Sequence, residues 1–427
     1  MSAPEPAADV IIVGGGPAGS TLGRYLSQAG VSNVILERAN HPRPHVGESM
    51  VTATTRVFRE IDFLDTMERE GFVKKFGASW HPTHKVAEFD IAFSEFPQEG
   101  VDQDHTYHVD RAKFDHLLLK HAEAAGSRVI QGVAATEVLF DEAGSACGVR
   151  ASVAGEDVEI HGRMVADATG RDTLLGRQLR LKENDPIFNQ FAVHAWYEGV
   201  NRGSGRTEDY IHIYFLPVER GWAWLIPITD TVTSIGVVAE REAFRDVKHG
   251  VEEYFAQAIV SNPSLEIAMR DATRVNEFKR EGNYSYSMRR FCGDGFVLVG
   301  DACRFVDPIF SSGVSVAMHS AKFASEAIVP ALAADDVSEQ AFLAYEEKLK
   351  GGVTIWYEFI RLYYKLLPMF TRFIQDPEHR LSVLQLLQGD VYDRANAPVL
   401  DAMRDFVRTV EESDDHLLQS ALTDVPI

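Results

Sequence analysis

Between two short apolar runs near the start of the chain lies Gly14-Gly-Gly-Pro-Ala-Gly19, and nothing else in the sequence restricts the fold as tightly. Before it, Asp9-Val-Ile-Ile-Val13 is a continuous apolar run after its first residue, the pattern of a strand buried on both faces of a parallel sheet. Ser20–Ala29 then has helical spacing, with Leu22, Tyr25 and Leu26 on one face, and Val34-Ile-Leu36 predicts a second strand ending at Glu37. Strand, glycine turn, helix, strand and acid within about 30 residues make a dinucleotide-binding unit. Each glycine has its own task. Gly14 permits the tight turn, Gly16 lets the backbone approach a pyrophosphate, and Gly19 lets helix and strand pack closely. The helix N-terminus offers free N–H groups to the phosphates, and Glu37 can accept hydrogen bonds from ribose hydroxyls.

The 427 residues leave room for two or three domains. From Asp185 to Arg290 the pattern changes. Phe191–Glu198, Tyr210–Phe215, Trp222–Ile228 and Val232–Glu240 are aromatic and β-branched runs separated by turns, which predicts an antiparallel sheet. Phe296-Val-Leu-Val-Gly300 returns to the parallel-strand pattern, and Gly313–Val329 predicts a helix that Pro330 should end. From Gln340 onward the chain reads as helical. There Trp356, Tyr357, Phe359, Ile360, Tyr363, Tyr364, Leu366 and Leu367 cover most of one helix and leave Glu358, Arg361 and Lys365 as a narrow polar stripe. The expected class is α/β, α+β overall. Its parts are a nucleotide-binding domain over 1–184 (with a segment near 80–108 on the substrate side), a substrate sheet over 185–290, a return over 291–336, and a helical region over 337–427.

Charge and cysteine content remove several classes. Acidic residues outnumber basic ones 63 to 42, and a net charge of -21 repels phosphate backbones, so no nucleic-acid partner is expected. Cys147, Cys292 and Cys303 lie far apart with no CxxC pair, which argues against a disulfide scaffold or a cysteine-built metal site. No apolar run reaches the roughly 18 residues of a membrane span, and no signal peptide is visible, so a cytoplasmic location without membrane partners is expected.

Further motifs converge on FAD. Val299-Gly-Asp-Ala302, Asp167-Ala-Thr-Gly170 and Tyr107-His-Val-Asp-Arg111 with Phe114-Asp115 resemble three flavin segments of the glutathione-reductase-like fold of the aromatic hydroxylases. That resemblance implies a Rossmann-like FAD domain in which Asp301 binds the ribityl chain and Arg111 lies along the flavin. It also places Pro17, Ala18, Arg38, Val133 and Val314 among the cofactor contacts.

Four features narrow the resemblance to the flavin-dependent halogenases. Trp222-Ala-Trp-Leu-Ile-Pro227 fits their WxWxIP pattern, and indoles two apart on a strand face one side. Lys75 precedes x-Gly-Ala in Phe72-Val-Lys-Lys-Phe-Gly-Ala-Ser-Trp80, as the functional halogenase lysine does; Lys74 is the neighbour left over. His45-Val-Gly-Glu-Ser49 is similar to their turn beside the flavin, with Gly47, Glu48 and Ser49 as contacts. Asp307-Pro-Ile-Phe-Ser-Ser-Gly-Val314 is similar to the helix start where halogenases bind chloride through backbone amides, here Ser312 and Gly313, and a helix N-terminus is an anion site. Phe310 stands where tryptophan halogenases carry a glutamate, which points to a more electron-rich ring than free tryptophan.

Gly47-Glu-Ser-Met-Val51, Asn189–Val193, Tyr284–Met288 and the tail with Leu384–Asp390 resemble the halogenases that act on a pyrrolyl group held on a carrier protein in antibiotic biosynthesis. The resemblance implies reduced FAD delivered by a separate, transient flavin reductase, O2, and chloride or bromide as co-substrates. It implies hypohalous acid made near Ser312 and Gly313, a partition of Trp222, Trp224, Ile226, Pro227 and Phe310 between flavin and ring, and presentation of the oxidant by Lys75. The lysine could act as an ammonium that polarises the oxidant or as a neutral amine that forms a chloramine. Alternatives are an aromatic hydroxylase, a halogenase of phenols, and a flavin-binding protein without chemistry. A homodimer is allowed. Docking of an acidic carrier needs a local basic surface, for which Arg361, Lys365, Arg372 and Arg380 are candidates.

Overall fold

In the computed structural model, residues 6–83, 88–96, 104–245, 250–282, 285–392, 397–413, 418–419 and 422–427 are described. Parts of the segment near 80–108, and Tyr284, lie outside them.

The glycine turn and its flanks form as the sequence predicts. Strand Ala8–Val13 runs into helix Pro17–Gln28, and strand Asn33–Glu37 lies parallel to the first, Ile12 opposite Ile35. These strands sit inside a sheet ordered Cys292–Gly293, Phe296–Leu298, Glu156–Asp167, Ala8–Val13, Asn33–Glu37 and Arg128–Gln131, parallel along this order except at the Cys292 edge, with Ala146–Val153 and Ala134–Phe140 added antiparallel off Glu156–Asp167. Val10, Ile11 and Ile12 are wholly buried, which explains the unbroken apolar run.

The four aromatic and β-branched runs form a second sheet. Trp222–Pro227 pairs antiparallel with Ile211–Phe215 on one side and Val232–Glu240 on the other, and Gln190–Glu198 lies beyond. Strands Gly77–His81 and Phe89–Ala92 extend it from earlier in the chain, Gly77–His81 lying parallel to Ile211–Phe215. The sheet that carries the WxW motif is thereby joined directly to the strand that follows Lys75.

Helix Ser312–Ala333 packs on Pro17–Gln28, and helix Glu339–Lys365 packs on Ser312–Ala333 and the Cys292–Gly293 strand and reaches Trp222 of the second sheet through Tyr364. The first corrects an expectation: Pro330 lies inside it. Proline lacks the N–H for one helical bond. The last turn continues nonetheless, because Ala331 and Leu332 are buried and Ala334 N–H bonds to the Pro330 carbonyl at 2.9 Å. The polar stripe on the second helix needs the same revision. Lys365 is buried, and its amine pairs with Glu411 at 2.6 Å, so burying its long stem costs no unpaired charge.

Candidate active site

The nucleotide end is built by close approach. A Cβ on Gly14, whose φ is +111°, would lie 2.3 Å from the Ala168 carbonyl oxygen, and one on Gly19 would lie 1.9 Å from the Gly14 oxygen. At Gly16 the nearest atom to such a Cβ is Nη2 of Arg43 at 3.6 Å, so the turn opens there onto a cation. Arg43 carries no motif and was missed from sequence; its guanidinium also lies 3.4 Å from buried Asp115. Glu37 is buried, and its carboxylate accepts from Gly15 N–H at 2.7 Å and Ala39 N–H at 2.8 Å, so it braces the turn. Val133 is buried beside it, its N–H donating to the Glu37 carbonyl at 3.0 Å. Arg38 is exposed and pairs with Asp172.

Arg111 is buried and grips Asp115 through Nε at 2.7 Å and Nη2 at 3.0 Å, while Nη1 donates to the Val46 and Gly47 carbonyls at 2.6 and 3.2 Å. It thus holds the Gly47-Glu-Ser49 turn. Glu48 is buried, with Oε1 accepting from Trp196 Nε1 at 2.6 Å and Oε2 unpartnered among the described residues. Burial pushes its carboxyl above the usual range, opposed chiefly by the Ser234 hydroxyl and the Trp196 N–H. Asp301 is likewise raised by burial, to about 6. An open glycine turn facing a guanidinium, an orphaned buried carboxylate oxygen and the desolvated Asp301 all fit an FAD. Val314 lies in an apolar cluster with Met50, Phe58 and Met318.

Lys75 and Lys74 differ sharply. Lys74 is half exposed and pairs with Glu68 at 2.8 Å. Lys75 is 3% exposed, and Nζ donates to Ser49 Oγ at 2.9 Å and to the Met50 carbonyl at 2.8 Å. Among the described residues no carboxylate faces it, and burial pulls its pKa down to about 7. Strand Val73–Lys75 pairs with Thr106–His108, which buries His108 nearby with Nδ1 unpartnered.

Lys75 lines a small cavity with Trp80, Phe93, Ile211, Ile213, Phe310 and Ser311 among its walls. Apart from the amine, the Ser311 hydroxyl and the Trp80 indole N–H the lining is apolar. Phe310 is fixed by stacking on Phe359, ring centroids 4.6 Å apart, and by an edge contact with Tyr363 at 5.0 Å. Ser311 takes a left-handed φ of +57° at the entry to the long helix, which begins at Ser312 with Gly313 next, and the Ser311 side chain does not cap its amides.

Trp222, Trp224, Ile226 and Pro227 are all buried, and the two indoles pack 5.9 Å apart. Trp224 lies flat on Gly236, where a Cβ would come within 2.1 Å of the ring, and its Nε1 donates to Ser234 Oγ at 3.1 Å. Trp222 Nε1 donates to the Tyr364 hydroxyl at 2.9 Å. Tyr364 counted only as an apolar helix residue in the sequence, because its partners are 142 or 174 positions away, or 57.

The four basic candidates for carrier docking are all engaged within the molecule. Arg361 bonds to the Pro426 carbonyl, Lys365 to Glu411, and Arg380 to Glu95, while Arg372 stacks over Phe406.

The family described as FAD binding domain matches residues 7–349. A 1H-pyrrole-2-carbonyl-[peptidyl-carrier protein] chlorinase from Pseudomonas fluorescens is 46% identical, covering 98% of this chain and 97% of the relative. A brominase of the same printed substrate from Pseudoalteromonas luteoviolacea is 29% identical over 90% of this chain and 92% of its own. Among solved structures, flavin-dependent brominase Bmp2 superposes with a TM-score of 0.87 at 28% identity, covering 95% of this chain and 99% of that one. With its FAD-binding fold and these relatives, the chain belongs to the flavin-dependent halogenases, FAD-dependent oxidoreductases that use O2 and halide.

Proposed function

We propose that the protein halogenates a pyrrolyl group tethered to a carrier protein, with chloride or bromide, and that Lys75 presents the oxidant to the ring. The observation that carries this is the amine of Lys75, desolvated in an apolar cavity that also includes Phe310 and Ser311 of the halide turn. Bound reduced FAD, delivered by a separate reductase, supplies the O2-activating chemistry that oxidises the halide. Ser312 and Gly313 offer uncapped amides to the anion. Trp222, Trp224, Ile226 and Pro227 form a rigid wall that keeps the ring off the flavin. Gly14–Gly19, Arg43, Gly47–Ser49 and Asp301 hold the cofactor.

Two of the positions on Nζ are committed to Ser49 and Met50. The third carries a hydrogen in the ammonium and a lone pair in the amine. With a pKa of about 7 both forms are populated near neutrality, so the residue can donate to an oxidant or be chlorinated by it. Apolar walls exclude water and keep the oxidant on the nitrogen.

The test is intact-mass analysis of pyrrolyl- and hydroxybenzoyl-loaded carrier proteins after reaction with enzyme, reductase, and chloride or bromide. Halide-dependent mass gain on the pyrrolyl carrier is expected. Gain of oxygen alone, or reaction only on the phenol, overturns the reading.

A further inference from the structure

The Tyr364 hydroxyl is the meeting point of three buried polar groups from distant parts of the chain. Trp222 Nε1 donates to it at 2.9 Å and Gln190 Nε2 at 3.1 Å. Indole and amide N–H groups can only donate, so they fill the two lone pairs of the phenolic oxygen. Its single O–H must therefore be given away, and the acceptor is the Asp307 carboxylate, both of whose oxygens lie 3.2 Å off. Tyr364, Asp307, Gln190 and Trp222 are each 3% exposed or less, so every bond in the set is shielded from water.

Asp307 is the first residue of the turn that leads to Ser312 and Gly313. Its Oδ1 also accepts from Ile309 N–H at 2.8 Å, which folds the turn back on itself. Ser311 N–H closes it by bonding to the Pro308 carbonyl at 3.0 Å. One hydroxyl on the long C-terminal helix thus ties the start of this turn to the indole of the tryptophan wall.

We propose that Tyr364 is a positioning residue for halide use, its hydroxyl holding the Asp307 turn against Trp222 so that the Ser312 and Gly313 amides stay fixed relative to the wall. The inference rests on the reading of those amides as the halide site. Losing the hydroxyl leaves an indole N–H, an amide and a carboxylate buried without their partner. The turn then relaxes, and the weakened step is capture of the anion.

The experiment titrates chloride against FAD-saturated enzyme with its reductase, using pyrrolyl-loaded carrier protein and, in parallel, a small-molecule hypohalite trap. Tyr364→Phe should raise the chloride KM about tenfold, with kcat changed less than about threefold and FAD content as in the parent. Asp307→Asn keeps an oxygen that accepts from both Tyr364 and Ile309 but sets an amide nitrogen beside a hydroxyl whose lone pairs are filled, so its chloride KM should rise by clearly less than in Asp307→Ala. Asp307→Ala should behave like Tyr364→Phe, and this pair decides the matter if Tyr364→Phe does not fold. An unchanged chloride KM in Tyr364→Phe, or a fall in kcat alone, overturns the proposal in favour of a purely structural tyrosine. So does identical behaviour of Asp307→Asn and Asp307→Ala. If the parent enzyme makes neither product nor trapped hypohalite from chloride, the halide-site reading itself fails, a different result from any of these.

Discussion

The glycine turn and the Lys75 cavity are two polar sites of one protein built on opposite plans. In the turn, Gly14, Gly15, Gly19 and Glu37 meet within 24 positions of one another, and their contacts are backbone to backbone or backbone to carboxylate. In the cavity, Lys75, Phe93, Ile211, Phe310 and Leu387 come from across more than 300 positions, and side chains make the walls. The turn leaves free donors for an anionic group to complete. The cavity strips water from a lone amine and thereby lowers its pKa. A local motif can be copied as a short string, whereas a desolvated lysine needs a whole core behind it.

The sharpest way to break this contrast is at Gly16. Its absent Cβ would meet only the tip of Arg43, at 3.6 Å, so Gly16→Val should fold as well as the parent yet bind no FAD and lose all halogenation. Flavin absorbance and thermal unfolding of the purified variant check both halves; a yellow, folded variant would remove the nucleotide site from this turn. Next comes Lys75→Ala, which should leave FAD content intact while lowering halogenated product by about 10³-fold. Intact mass of the carrier reads this out, and near-parental product would make the lysine structural.

A smaller effect sharpens the energetic side. The Lys75 pKa is about 7 in the fold against an ordinary 10.5. Between those values the unfolded chain binds the extra proton, so stability climbs as pH rises from about 7 towards 10.5, and that gain is absent below pH 7. The full swing is on the order of 5 kcal/mol. Lys75→Met should flatten this slope in denaturant titrations across that range; an equal slope in both proteins would mean the amine is not desolvated. The smallest effect belongs to the neighbouring residue. Lys74→Ala removes only a half-exposed pair with Glu68 and should change stability by less than about 1 kcal/mol and product yield by less than about twofold. A large loss there, with Lys75→Ala active, would move the functional amine by one position.

Sequence alone determined the strand–turn–helix–strand unit, because its contacts lie between near neighbours and its glycines are chosen by backbone clearance. It also determined the four strands from Gln190 to Glu240, whose aromatic and β-branched runs between turn residues are local. Choosing Lys75 over Lys74 needed a motif, since two adjacent lysines look alike until one strand pairing points them to opposite sides. Only the tertiary structure decided that Lys75 is desolvated, that Arg43 faces the glycine turn, and that Lys365 is buried against Glu411 instead of lining a polar stripe. It alone decided that the Pro330 helix runs one more turn, since burial of Ala331 and Leu332 outweighs a missing N–H. The Tyr364 hub was equally out of reach, because a buried hydroxyl takes its meaning from donors and acceptors that the sequence scatters and the fold collects.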